Sequence, residues 1–151
     1  MRRHDREQSR EFALDVVDTC KYAVIATTNE DGTPYCVPLT IVRDGENIYF
    51  HCAKEGKKLD NIRARKDVCV TCVSFAETRQ STYSVEYASA TLTGKAEVVT
   101  DPEERAEALR MICHRHTPDF MAGVEDYIAK YFDRTAVVRI AIESITGKAN
   151  T

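Results

Sequence analysis

The chain has 151 residues, of which 21 are lysine or arginine and 24 are aspartate or glutamate, so its net charge is −3. That balance excludes a dedicated nucleic-acid-binding protein, and the length suits one domain, spanning 1–151, rather than two. Hydrophobic residues make up 43% of the chain, and no apolar run approaches the length of a membrane span, so the composition predicts a globular protein without membrane contact.

The N-terminus and the cysteines indicate a cytoplasmic setting. The stretch MRRHDREQSREF is highly charged and lacks the apolar segment of a secretory signal. Free thiols are the default in the reducing cytoplasm, and a reduced cysteine behaves there as a small hydrophobic residue. We therefore expect a cytoplasmic protein with mostly buried free thiols, which are Cys20, Cys36, Cys52, Cys69, Cys72 and Cys113.

The first half of the chain predicts one helix followed by three strands. Residues 9–20 place apolar side chains on one helical face, with Ser9 as the N-cap. The segments YAVIATT, TPYCVPLTIV and NIYFHC are typical of strands, and the turn signals NEDG and RDGE between them predict consecutive antiparallel hairpins. Because Pro38 cannot donate to a ladder, its strand is bulged, unpaired on one side or at an edge.

The second half predicts alternating helices and strands. Asp101 is the expected N-cap of a helix with Pro102 at its first position, and residues 83–99 are expected to form either one long strand or a strand with a bend near Gly94. The sum is an α+β protein, mainly β, with about six antiparallel strands that close as a small barrel. In chain order, these elements are a helix over 56–66, a central strand buried on both faces over 67–75, a long strand over 83–99, helices over 101–116 and 124–132, and a last strand over 135–147.

Two short motifs could suggest a metal or redox site. Cys69 and Cys72 form a C-x-x-C, but residues three apart on a strand point to opposite faces, so the two thiols cannot share a ligand there. His114 and His116 form an H-x-H near a helix end, where a spacing of two places them on roughly opposite sides. We expect no metal site from either motif.

Positive charge gathers where the third strand is followed by the short helix. In FHCAKEGKKLDN, His51 ends the strand, and Lys57 and Lys58 follow Gly56 into the helix. The N–H groups of a first helical turn attract anions, so two ammonium groups there are unfavourable unless an anion binds. The sequence has no G-x-G-x-x-G, P-loop or G-x-S-x-G motif to suggest other chemistry. The open alternative is a solvated loop in which Glu55 partly neutralises the lysines.

Four segments occur in an order that spans nearly the whole chain: YAVIATTNEDGTPYCVPLTIV, IYFHCAKEGKKLDNIRARKDVCVTC, SATLTGKAEVV and IESITGKA. In this the chain resembles the FMN-binding split-barrel family of pyridoxamine 5′-phosphate oxidase, and within it the 5-nitroimidazole-resistance, or flavin-nucleotide-binding, branch. The resemblance implies a six-stranded antiparallel split β-barrel with flanking helices, which forms a homodimer with FMN at its interface. The tail ESITGKANT lacks the arginine-rich substrate features of the oxidase proper, so pyridoxamine phosphate oxidation is not expected.

The resemblance also implies a set of cofactor-binding residues. The second strand's backbone would lie along the flavin ring, and the strand with the His-Cys pair would follow near the ring or the ribityl chain. The lysine pair would bind the phosphate, and a polar residue of the long strand would touch the cofactor. The residues implied in that order are Val37, Pro38, Leu39, Thr40, Phe50, His51, Cys52, Lys57, Lys58 and Ser89.

The leading functional hypothesis is a homodimeric, FMN-dependent oxidoreductase that reduces a small acceptor such as a nitroaromatic compound or another flavin. NADH or NADPH would be the electron donor. His51 would be the catalytic residue that donates a proton; the alternative is that His51 only makes a structural hydrogen bond at a strand end. A second hypothesis is a flavin carrier or sensor without turnover. A third is a haem-binding split barrel with His51 or His114 as axial ligand.

Overall fold

The computed structural model describes residues 2–150 and contains, within them, four α-helices around one eight-stranded sheet. The strands are β1 (Glu7–Gln8), β2 (Ala23–Thr28), β3 (Pro34–Leu39), β4 (Val42–Asp44), β5 (Asn47–Ala53), β6 (Asp67–Arg79), β7 (Ser84–Val98) and β8 (Thr135–Asn150). The helices are α1 (Arg10–Thr19), α2 (Lys57–Ala64), α3 (Pro102–His116) and α4 (Val124–Tyr131). A 3-10 segment, Pro118–Gly123, joins α3 to α4.

The sheet is an open, antiparallel barrel rather than a closed one. Seven strands pair in the order β3-β2-β6-β7-β8-β5-β4, and the short β1 pairs with β8. The two ends of this path, β3 and β4, are separated in the chain by only two residues, Thr40 and Ile41, so they must lie within roughly 10 Å of each other. The sheet therefore curls back on itself with an unpaired seam. The α+β split-barrel expectation is confirmed, whereas the closed barrel and the count of six strands are wrong.

The seam divides a segment that the sequence predicts as one strand. Residues 33–42 contain all of β3, which pairs with β2, and the first residue of β4, which pairs with β5, so the two ends of the segment join opposite ends of the sheet. Pro38 lies in β3, opposite Val24 of β2. Because β3 has only one ladder partner, it is an edge strand. An edge is the position where a strand proline is tolerated, so that prediction is confirmed.

The predicted helix caps are confirmed, whereas the predicted burial of one strand on both faces is wrong. Ser9 and Asp101 cap α1 and α3 by accepting from the backbone N–H groups of Phe12 and Glu104. β7 runs without interruption from Ser84 to Val98, which is the long-strand alternative, and its pairing with β8 contains a bulge beside Gly94, where β8 has one extra residue. However, the strand predicted to be buried on both faces, now the first part of β6, buries one face only, because residues such as Thr71 and Val73 are left exposed by this single chain.

The cysteines are less buried than predicted. Cys20 and Cys72 are buried, Cys36 is exposed, and the remaining ones are half-buried. Cys69 and Cys72 lie on opposite faces of β6, as the strand period requires, since Cys72 continues the buried face of Val70 and Cys69 does not. The burial of the cysteines in the strands therefore follows the alternation of side chains along the sheet.

Two apolar clusters hold the elements together. The larger fills the barrel and includes Phe50, Ile25 and Leu92, with α1 packed on it through Val16 and Val17. The smaller lies between the sheet and helices α3 and α4. None of the helices within residues 2–150 is long and apolar enough to cross a membrane. The gap between the α3–α4 pair and the end of β5 is where the candidate site lies.

Candidate functional site

The end of β5 and the start of α2 bring the predicted phosphate-binding residues together. β5 carries His51 and Cys52 near its end, and the loop then turns at Gly56, whose φ of 144° lies where only glycine is readily accommodated. No atom lies within 4 Å of a Cβ built on Gly56, so its backbone conformation, not crowding, requires glycine. Lys57 and Lys58 follow as the first two residues of α2, with no side-chain cap on the helix.

The two lysines differ in their surroundings. The Lys57 ammonium is exposed and lies 5.3 Å from the centre of the Tyr35 ring. Lys58 is half-buried, and its side chain makes no hydrogen bond or ion pair with residues 2–150. Together with burial and the neighbouring His116, the charge of Lys58 lowers the pKa of His51 at the end of β5. A helix start with an unpaired, half-buried ammonium group is suited to an anion.

Asn61 anchors this helix start to the neighbouring turn. Its side chain is buried, and its Nδ2 donates to Thr27 Oγ1 at 3.0 Å and to Asn29 Oδ1 at 3.0 Å. Asn61 and Lys57 also line a cleft of about 470 Å³ between α2 and the β2–β3 turn. Sequence reasoning missed Asn61, because its two partners lie 34 and 32 residues earlier in the chain.

A second, larger cavity of about 690 Å³ opens beyond the end of β5. It is bordered by strand ends, by the C-terminal half of α3 and by α4 with its flanking turns. The strand ends contribute Thr40, His51, Cys52, Ala53 and Thr135; α3 and the following turn contribute Leu109, Ile112, Cys113, His116, Thr117, Phe120 and Gly123; and α4 with the turn after it contributes Val124, Tyr127, Ile128, Tyr131 and Arg134.

His51, at the border of the large cavity, has a lowered pKa. His51 reaches solvent, yet burial lowers its pKa, followed by the positive charges of His116 and Lys58. A histidine with a lowered pKa is neutral over more of the physiological pH range and releases its proton more readily once protonated. The arrangement therefore provides an imidazole suited to proton transfer at the border of the cavity.

The end of α3 holds the seam of the barrel in place. The backbone carbonyl of Ile41 accepts from Arg115 Nη1 at 2.8 Å and from His116 Nε2 at 2.9 Å. Because a carbonyl oxygen can only accept, Nε2 of His116 carries the hydrogen. Arg115 also donates to the carbonyls of Val17 and Cys20. These bonds fix the chain next to Thr40, within the stretch predicted to follow the flavin ring.

The structure brings together some of the predicted residues and leaves others apart. Thr40, His51 and Cys52 line the large cavity and Lys57 lines the cleft. The Phe50 side chain is fully buried in the barrel core, so its backbone alone could face a ligand. Val37 and Leu39 are half-buried against the same core, and Pro38 is exposed on the edge strand.

Among the predicted residues, Lys58, Ser89 and His114 also line neither cavity. Ser89 sits on β7 and its hydroxyl donates to the Lys148 carbonyl at 3.4 Å. His114, the other suggested axial ligand, is exposed and lines neither cavity, whereas His116 of the same H-x-H motif lines the large one. The structure therefore separates the two histidines, as the helical spacing predicts.

Sequence reasoning also missed the aromatic wall of the large cavity. Tyr127 and Tyr131 lie one helical turn apart on α4, with ring centroids 4.7 Å apart. Their spacing of four residues in an amphipathic stretch is the only signal in the sequence that could have suggested a common face. Arg134 follows in the turn after α4, and no local pattern connects it to His51, about eighty residues earlier.

Comparisons of the sequence indicate a family. The family model described as pyridoxamine 5′-phosphate oxidase matches residues 9–149, which is nearly the whole chain. A search of curated proteins gives no match.

Comparisons of the structure agree in fold. A candidate 5-nitroimidazole antibiotic resistance protein from Bacteroides thetaiotaomicron superposes with a TM-score of 0.80 at 23% identity, over 94% of this chain and 84% of that one. The flavocytochrome Anf3 from Azotobacter vinelandii gives 0.82 at 22% identity, over 100% and 72%. An FAD- and haem-binding protein from Mycobacterium smegmatis gives 0.78 at 21% identity, over 96% and 73%. At these identities the likeness concerns the fold.

Proposed function

The chain belongs to the pyridoxamine 5′-phosphate oxidase family, and on that premise we propose that it is an FMN-binding oxidoreductase that reduces a small acceptor such as a nitroaromatic compound. The observation that carries the proposal is the segment from His51 to Lys58. It joins two groups: an unpaired ammonium group at a helix start, and an imidazole that has a lowered pKa and borders a cavity of ligand size.

The donor groups at the start of α2 suit a phosphate monoester. Gly56 turns the chain so that the first N–H groups of the helix are free of side-chain caps, and two lysines supply positive charge. Lys58 lacks a carboxylate partner among residues 2–150, so a phosphate dianion would supply the missing charge. The cost of gathering positive charge at a helix start is then offset by the ligand.

Bound flavin would supply the exchange of electrons, and the chain would supply binding, orientation and protons. The stretch Val37–Thr40 would present backbone groups from an edge strand, whose outer side has no ladder partner. Arg115 and His116 would keep that stretch in place through the Ile41 carbonyl. His51, whose pKa is lowered by burial and by two neighbouring charges, would give up a ring proton to the reduced acceptor.

We also propose that the protein is a homodimer with the cofactor at its interface. The β6–β7 hairpin carries large apolar side chains that this chain leaves uncovered, since Val73, Phe75 and Val85 are each more than 40% exposed. A second copy would bury them and would explain why β6 is apolar on both faces. Sedimentation velocity of the purified protein should therefore show a dimer that Phe75→Glu weakens, whereas a monomer at micromolar concentration would contradict this part of the proposal.

A haem-binding protein is the second candidate. It is favoured by the two imidazoles, His51 and His116, that line one cavity of about 690 Å³, since histidine is a common axial ligand. Two of the similar structures are named for haem or as a flavocytochrome. An absorption spectrum separates the candidates, because a haem protein shows an intense Soret band and a flavoprotein shows two weaker bands in the blue and near ultraviolet.

The flavin assignment is tested by titrating the apoprotein with FMN and following the quenching of flavin fluorescence. A charge-assisted hydrogen bond contributes about 1.5–3 kcal/mol, so Lys58→Gln should weaken binding roughly 10- to 150-fold. Lys54→Gln, which removes an exposed charge from the same loop, is the matched control and should change the affinity little. Failure to take up FMN, or equal affinities for both variants, would remove the phosphate assignment.

The catalytic assignment needs a separate measurement. FMN-loaded protein is reduced anaerobically by NADPH or NADH and then mixed with a nitroimidazole, and reoxidation is followed in a stopped-flow spectrometer. His51→Gln should slow reoxidation while leaving FMN affinity close to normal. A flavin that is bound but never reoxidised by any nitroaromatic compound would indicate a carrier or sensor instead of an enzyme.

A further inference from the structure

The lining of the large cavity carries positive charge from Arg134 and no carboxylate among residues 2–150. Arg134 provides a guanidinium group, and His51 and His116 provide imidazole rings. The lining contains no aspartate or glutamate from the chain between residues 2 and 150. A cavity with this lining favours neutral or negative ligands and opposes cations.

Arg134 differs from the arginines around it in having no internal partner. Arg105 donates to the carbonyls of Phe132 and Thr135, and Arg110 pairs with Glu125. The Arg134 side chain makes no hydrogen bond or ion pair within the described part of the chain, although it lines the cavity. Its charge is therefore available to a ligand.

The remaining walls suit a flat ring. Tyr127 and Tyr131 form a tilted aromatic pair on α4, and Ile112 and Ile128 add apolar surface opposite the strand ends. Aromatic walls of this kind favour stacked or edge-on contacts with planar ligands. The volume of about 690 Å³ exceeds what a single-ring compound needs and lies within the usual range for small-molecule sites.

The geometry points to the large cavity as the acceptor site, and we propose that it selects neutral and carboxylate-bearing electron-poor aromatic compounds over cationic ones, with Arg134 as the specificity-determining residue. This inference rests on the proposed function, because the cavity meets the proposed flavin stretch at Thr40 and His51. An aromatic acceptor within it would contact those two residues, and a carboxylate on it would pair with Arg134, which borders the same cavity.

The test uses three probes of equal shape and different charge: 4-nitrobenzoate, 4-nitrobenzamide and 4-nitrobenzylammonium. Their binding to FMN-loaded, oxidised protein is measured by isothermal titration calorimetry at low salt. The anion should bind about tenfold more tightly than the cation, with the amide between them, and added salt should narrow the difference. Arg134→Gln should remove most of the anion's advantage, and Arg134→Glu should reverse the order.

Lys130→Gln is the matched control, because Lys130 is an exposed cation on α4 that does not line the cavity. Equal binding of the three probes, tighter binding of the cation, or equal effects of Arg134→Gln and Lys130→Gln would overturn the inference. If the protein takes up no FMN, the proposed function fails, and the same titrations on the flavin-free protein still test the charge order. If FMN binds and nitroimidazole reoxidises it but no charge order appears, this inference alone fails.

Discussion

Asn61 offers the sharpest test of how the fold supports the phosphate-binding helix. Asn61→Ala removes two hydrogen bonds of 3.0 Å, a buried one to Thr27 and a part-buried one to Asn29, and so releases α2 from the end of β2 and the turn after it. At about 1 kcal/mol for each bond, the loss is about 2 kcal/mol. Alanine recovers about 0.5 kcal/mol through its better helix propensity, which leaves a net destabilisation of about 1.5 kcal/mol.

The assay is urea denaturation of the flavin-free protein, followed by circular dichroism at 25 °C, with a thermal melt on the same samples. For a chain of this size, 1.5 kcal/mol corresponds to a fall of about 3–6 °C in the melting temperature. Asn47→Ala is the matched control: Asn47 is half-buried at the start of β5, and its side chain makes no hydrogen bond with any residue of the described chain.

A double-mutant cycle with Thr27→Val shows whether the contact itself is responsible. If it is, the second substitution should cost clearly less in the Asn61→Ala background than in the wild type, because the shared bond is already lost. FMN affinity should fall in Asn61→Ala as well, since the lysines start from the same helix. The reasoning is wrong if Asn61→Ala unfolds at the same urea concentration as Asn47→Ala, or if the two substitutions add without coupling.

Two other consequences can be measured directly. Burial and two neighbouring charges lower the pKa of His51 from its usual value of 6.5, so titration of its ring signals by NMR should give a value below 6.5, and a value at or above 6.5 would contradict the geometry. The part of the free energy of unfolding that depends on neutral His51 should be fully present above pH 6.5 and be lost as the pH falls through the lowered pKa. His51→Gln should flatten this pH dependence. A Cβ at Gly94 would lie 2.2 Å from the Ala141 carbonyl oxygen, so Gly94→Ala should cost about 1–3 kcal/mol in denaturation experiments. Gly123→Ala, in open space, should cost far less, and equal midpoints for the two glycine variants would argue against the close approach.

The features predicted correctly are those whose causes lie close together in the chain. Ser9 and Asp101 each cap a helix by bonding a backbone N–H three residues later. The turn after β2 closes through a bond between Gly32 and Asn29. The lysine cluster stands at a helix start because its strand, glycine and helix are adjacent in the sequence. Such contacts act over a few residues, so composition and spacing reveal them.

The features that were missed depend on contacts between distant parts of the chain. The division of residues 33–42 into two strands is held by Arg115 and His116, which reach Ile41 from 74 and 75 residues later. The large cavity likewise exists because α4 packs against α3 and lies across a gap from the end of β5, so Tyr127, Arg134 and His51 line one cavity. No periodicity records these pairings.

The sequence alone therefore determined the local elements, their antiparallel order and the gathering of positive charge before α2, because propensity, caps and turn chemistry operate within a few residues. The tertiary structure decided that the barrel stays split, that Asn61 ties α2 to the β2–β3 turn, and that His116 rather than His114 reaches the cavity. It also decided which charges face that cavity. These outcomes follow from packing across the sheet and the α3–α4 pair, where the contacts join residues that no short pattern connects.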